Sequence, residues 1–170
     1  MAKGSIAGAC LALVFATGGQ AGSDGDPAAH IKWGASGDWA ILINPDAGNG
    51  CYMEKTFEDG TLVQVGILPD RNGGFFAAYN AGWSDIEDGD SGTVRFDFGD
   101  ALFGGEVVGV LRGDLRGGYA FFNNPAFVEE FGKRNNVKIS WGGATEINLK
   151  GTRRAIGAVL KCDSEQPESE

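Results

Sequence analysis

The chain has 170 residues, with 14 Lys and Arg against 23 Asp and Glu, a formal charge of −9, and 42% hydrophobic residues. That length suits one domain with one hydrophobic core. The acidic balance excludes nonspecific binding to nucleic acid or anionic lipid, because neutralising phosphates takes a basic surface.

Residues 1–21, MAKGSIAGACLALVFATGGQA, carry Lys3 ahead of an apolar run from Ile6 to Ala16, with small residues at Gly19 and Ala21 that suit a signal peptidase. We read them as a secretory signal. A membrane anchor needs roughly 20 apolar residues, and a lipoprotein cysteine at Cys10 would follow too short a run. Both rank behind cleavage near Ala21, so no stable membrane insertion is expected afterwards. Residues 22–29 read as a linker, residues 30–162 as a single α+β domain, and residues 163–170 as a disordered acidic tail.

DWAILIN, residues 38–44, is apolar and β-branched enough for a strand, which Pro45 and the Gly48-Asn49-Gly50 cluster end. CYMEKTF and TLVQVGIL flank Glu58-Asp59-Gly60, a hairpin signal in which glycine supplies the positive φ of the turn. In the second of these strands Thr61, Val63, Val65 and Ile67 share one face, with Gln64 opposite. GFFAAYN follows as a short aromatic strand. TVRFDF sets Val94, Phe96 and Phe98 against Arg95 and Asp97, and GEVVGVLR is expected to return antiparallel to it. VKISW and EINL straddle Gly142-Gly143 as a last hairpin.

Two helices interrupt the strands. In NNPAFVEEFGKRNN, Asn124 is the N-cap, Pro125 takes the first helical position, and Asn135-Asn136 close the end. Phe127, Val128 and Phe131 form its buried stripe. In GTRRAIGAVLKC, Arg153, Gly157 and Lys161 fall on one face, leaving Ala155, Ile156, Val159, Leu160 and Cys162 toward the core. The fold class is therefore α+β: a mainly antiparallel sheet or sandwich of about seven to eight strands, with two helices in the C-terminal third.

Once Cys10 leaves with the signal, Cys51 and Cys162 remain, the number for one bridge. In an oxidising compartment they are most simply a disulfide. The lone His30 and the lack of a C-x-x-C spacing argue against catalytic or metal-binding thiols. His30 reads as an exposed residue near a strand start, and the absence of a G-x-S-x-G elbow removes serine hydrolase chemistry.

WSDIEDGDSG, residues 83–92, gathers Asp85, Glu87, Asp88 and Asp90, oxygen ligands of the kind calcium takes. Gly89 stands where an EF-hand needs its fifth-position ligand, so a solvated acidic turn is favoured over a calcium site. Paired carboxylates for glycoside hydrolysis have candidates in Glu54, Glu106 and Glu146. Trp33, Trp39, Trp83 and Trp141 are candidates for a sugar or protein site, with core packing the commoner fate. GGFFAAYNAG and LRGDLRGGY lack the lysine and the strand-to-helix setting of a phosphate loop, and the Arg112-Gly113-Asp114 triplet is taken as coincidence. No cofactor is expected.

Charge is unevenly placed, with seven acids and only Arg95 from Asp85 to Glu106, and seven bases and only Glu146 from Lys133 to Lys161. Arg153, Arg154 and Lys161 are the rim on which an acidic envelope or extracellular protein would dock. The Cys51 strand, the Glu58-Asp59-Gly60-Thr61 hairpin, the Asn124-Pro125-Ala126-Phe127 helix and the ending Leu160-Lys161-Cys162 together resemble a family of small exported alphaproteobacterial proteins. More distantly, the chain is similar to the invasion-associated locus B proteins. The resemblance spans most of residues 38–162. It implies an envelope or secreted location and a β-rich fold, and carries over no catalytic residue. The expectation is thus an exported, protein-binding or envelope-associated module, with a glycan-acting hydrolase as the alternative.

Overall fold

The computed structural model describes residues 30–167 apart from 69, 71 and 142. The signal, the linker and Cys10 lie outside the described residues. The strands are β1 (Ile31–Ser36), β2 (Trp39–Asn44), β3 (Gly50–Thr56), β4 (Leu62–Ile67), β5 (Gly74–Asn80), β6 (Ser91–Asp97), β7 (Leu102–Arg112), β8 (Leu115–Phe122), β9 (Asn136–Trp141) and β10 (Gly143–Asn148). Helix α1 (Ala126–Lys133) lies between β8 and β9, and helix α2 (Thr152–Ser164) follows β10.

All ten strands join one antiparallel sheet in the order β1-β2-β3-β4-β5-β8-β7-β6-β9-β10. The first five form a meander. The chain then crosses over to β6 and works back through β7 to β8, which pairs with β5. This leaves the 81–90 connection spanning the ends of β8 and β7.

Alternation sorts the side chains onto two faces. Met53, Val65, Phe76, Ala120 and Val107 form a continuous row on the inner face, because each is the register partner of the next or of its neighbour. Phenylalanine dominates the centre of that face: Phe122 stacks on Phe127 of α1 at 3.7 Å between centroids, and Phe96 meets Phe76, Phe122 and Phe127 edge-on at 4.9, 5.3 and 5.0 Å. Such edge-to-face pairs add to what burial of area alone contributes.

Helix α1 begins where Asn124 Oδ1 accepts the Ala126 N–H at 3.1 Å, with Pro125 already helical at φ −61°. Phe127, Val128 and Phe131 are buried, as their spacing predicts. Glu130, also buried, accepts from Lys133 at 3.2 Å and Arg134 at 3.0 Å, and Arg134 reaches Asp100 in the β6–β7 turn at 2.6 Å. Gly132 faces Ile156 of α2, where an added Cβ would lie 3.4 Å from its side chain. Helix α2 starts after Gly151, at φ 88°, and the buried Thr152 hydroxyl lies at the carbonyls of Leu149, 2.7 Å away, and of Phe131. Cys162 of α2 is disulfide-bonded to Cys51 of β3, both fully buried, across 111 positions of chain.

Several expectations need correcting. Among the described residues there are ten strands rather than seven or eight, the additional ones being β1 and the glycine-rich β8. Gln64 does lie opposite the apolar stripe, and it is buried there, donating to Glu54 at 2.6 Å. Leu160 points outward at 54% exposure, since its position on α2 lies past the edge of the buried stripe. The tail does not begin at 163: α2 continues to Ser164 and Asp163 is buried. Asn136 opens β9 instead of closing α1.

The bridge closes a loop long enough that its loss removes about 4 to 5 kcal/mol of restriction on the unfolded chain. We expect Cys51→Ala/Cys162→Ala to lower the denaturant-derived stability by roughly that amount, with the slope of the unfolding line raised. A loss under about 1 kcal/mol would show that the staple is incidental.

Candidate functional site

The helices cover only part of the inner face, and beyond them lies a cavity of about 450 Å³. Its floor is apolar and comes from four adjacent strands: Phe76 and Ala78 of β5, Ala120 of β8, Val107 of β7, and Val94 and Phe96 of β6. Ile139 and Trp141 of β9 make one wall. Trp83, Asp85 and Asp90 of the 81–90 connection and Thr145 of β10 complete the mouth. This size and lining are those of small-molecule sites, which are largely apolar with a few polar groups.

The position of Trp141 explains two glycines in strands. An added Cβ at Gly118 would lie 2.7 Å from the Trp141 ring, and one at Gly92 would lie 2.8 Å from its Nε1. The indole therefore rests on bare backbone across the sheet. A Cβ at Gly109 would meet the Glu87 carbonyl at 2.5 Å, so glycine there lets the 81–90 connection lie down on β7.

That connection is pinned by backbone bonds: Gly89 N–H to Gly109 O at 2.9 Å and Gly109 N–H to Asp90 O at 2.6 Å. Asp90 Oδ2 accepts the Glu87 N–H at 2.8 Å, Asp88 Oδ1 accepts the Leu111 N–H at 3.2 Å, and Arg116 donates to the Ile86 carbonyl at 2.9 Å. Two of the four acids thus serve the fold of the loop. Among the described residues, no group of three or more His, Cys, Asp or Glu is arranged to hold a metal ion.

The four tryptophans separate by role. Trp39 is in the core; Trp33 donates to Glu165 at 2.9 Å on the surface, with Lys161 over its ring at 5.8 Å; Trp83 and Trp141 face the cavity. Glu54, Glu106 and Glu146 lie on the outer face of β3, β7 and β10, which are four and three strand intervals apart. At about 4.8 Å per interval those separations are roughly 19 and 14 Å, beyond the span of either hydrolase geometry. The Arg112-Gly113-Asp114 triplet is the β7–β8 turn, with Gly113 at φ 61° and Arg112 over the Tyr79 ring at 5.9 Å. On α2, Arg153 and Arg154 are exposed and pair with no described acid, whereas Lys161 lies 4.0 Å from Glu165.

The outer face holds a second polar group. Tyr52, 1% exposed, is hydrogen-bonded with His30, which is half-buried against it rather than exposed. Burial, and then the Glu54 charge, push the Tyr52 phenol well above its usual pKa, with Arg112 opposing. Tyr79 is raised as well, chiefly by burial, with Arg112 again opposing. No protein-family model, no curated protein and no solved structure matches the chain.

A phenol whose pKa is higher folded than unfolded keeps its proton while the unfolded chain loses its own. Stability should therefore be level below about pH 10 and fall as pH rises above it. Denaturation between about pH 9 and pH 11.5 should show that decline, and Tyr52→Phe should lessen it. Phenolate absorbance that rises in the folded protein as early as in the unfolded chain would contradict the burial of both hydroxyls.

Proposed function

We propose that the protein is an exported, disulfide-stapled binding domain whose cavity takes a small, largely apolar ligand. The observation that carries this reading is the cavity itself: about 450 Å³, floored by apolar side chains and flanked by Trp83 and Trp141. The Cys51–Cys162 bridge is compatible with an oxidising compartment. No helix of the described residues is long and apolar enough to cross a membrane. The resemblance to small exported proteins favours an envelope or secreted location. A glycan-acting hydrolase has less support, because its candidate carboxylates are spread across the outer face.

A second reading adds a protein partner in the envelope or outside the cell. Arg153 and Arg154 are exposed and without a described acidic partner, and Leu160 on the same helix is 54% exposed. An acidic protein surface with an apolar centre would suit that face.

Calorimetric titration with hexanol tests the cavity. We expect saturable one-to-one binding, with a dissociation constant of about 1 mM or tighter. Thr145→Phe at the mouth, or Trp141→Ala in the wall, should weaken it at least tenfold. Heats that never saturate, or equal binding by Thr145→Phe, would sink the cavity reading.

A further inference from the structure

Resting on the cavity reading, we propose that the ligand is a cationic amphiphile: an alkyl chain or small ring carrying a primary or quaternary ammonium group. Among the described residues that line the cavity, Asp85 and Asp90 are the only charged ones, and both lie at the mouth. Glu87 and Asp88 of the same connection add to the negative field there. Arg116 donates its guanidinium to the Ile86 carbonyl at 2.9 Å and is not part of the lining.

The chemistry is therefore graded from floor to mouth. Phe76, Val94, Val107 and Ala120 offer hydrocarbon and no hydrogen-bonding side chain at the bottom. Above them Trp83 and Trp141 provide indole rings, whose faces attract an ammonium group, more so where water is excluded. Asp85 is exposed and is hydrogen-bonded to Ser84 at 3.0 Å, while Asp90 gives one oxygen to the Glu87 N–H and keeps the other. A neutral ligand would leave these charges unused, and an anionic one would be repelled by both carboxylates.

The test compares three probes of equal chain length on the disulfide-bonded protein: hexyltrimethylammonium, hexanol and hexanesulfonate. The cation should bind at least tenfold tighter than hexanol, with a margin that shrinks as salt is added, and hexanesulfonate should not saturate. Asp85→Asn/Asp90→Asn should bring the cation to the level of hexanol. Asparagine retains an oxygen for the Glu87 N–H, and Asp85→Asn alone, at an exposed site, should give part of the effect if the double variant is unstable. Equal binding of hexanol and the cation by the unaltered protein overturns the charge inference while the cavity reading stands. Failure of every probe, or indifference of the cation to Thr145→Phe, removes the cavity reading and this inference with it.

Discussion

The inner face of the sheet is wider than the helices that cover it. Ten strands have nine intervals of about 4.8 Å, or roughly 43 Å from edge to edge. At 1.5 Å per residue α1 and α2 are only about 12 and 20 Å long. The helices sit at one end, α2 against β1 to β4 and α1 against β4 and β5. Phe127 and Phe131 of α1 reach on to Phe122 of β8, Phe103 of β7 and Phe96 of β6, and past those rings the apolar face runs on through Val107, Val94 and Ile139, beside the 81–90 connection and Trp141. The cavity follows from that shortfall.

The two ends of the domain are held by different means. At the helical end the Cys51–Cys162 bridge, the Phe122–Phe127 stack, the Thr152 hydroxyl and the Glu130–Arg134–Asp100 chain tie both helices to the sheet. At the cavity end β9 pairs with β6 through only three register pairs, Arg95↔Ser140, Phe96↔Ile139 and Asp97↔Lys138. There the Trp141 indole, seated on Gly92 and Gly118, joins the buried Val137 and Ile139 in packing the hairpin on the sheet. The two parts meet at Phe76 and Phe96, which line the cavity and also pack against α1.

Local pattern was enough for most of the elements. Alternation in TVRFDF and the Asp59-Gly60 turn point to β6 and to the β3–β4 hairpin, and the 3.6-residue stripe of α1 places Phe127, Val128 and Phe131 inside. The pairing of Cys51 with Cys162 was legible once Cys10 was assigned to the signal and the domain to an oxidising compartment. The β8 segment LRGGYAFF was not, because glycine is a poor strand former in isolation. Its glycines are needed only once the neighbours are known: a Cβ at Gly117 would lie 1.9 Å from the Ala78 carbonyl, and one at Gly118 would strike Trp141. Alternation placed Gln64 on the outer face but said nothing of its burial, which comes with Tyr52 and Tyr79, buried on that same face. The cavity was out of reach of local reading. It depends on β8 lying between β5 and β7 and on β9 joining β6, pairings between segments far apart in the chain.

Incomplete helical cover of an apolar sheet face is the basis of both the proposed activity and its proposed selectivity. Methyl-resolved NMR under xenon tests it most directly, because xenon seeks apolar space without regard to charge or shape. The account predicts shift changes concentrated at the methyls of Val94, Val107 and Ile139. Changes centred instead on Val159 and Ile156 beneath the helices, or none above those of exposed methyls, would contradict it.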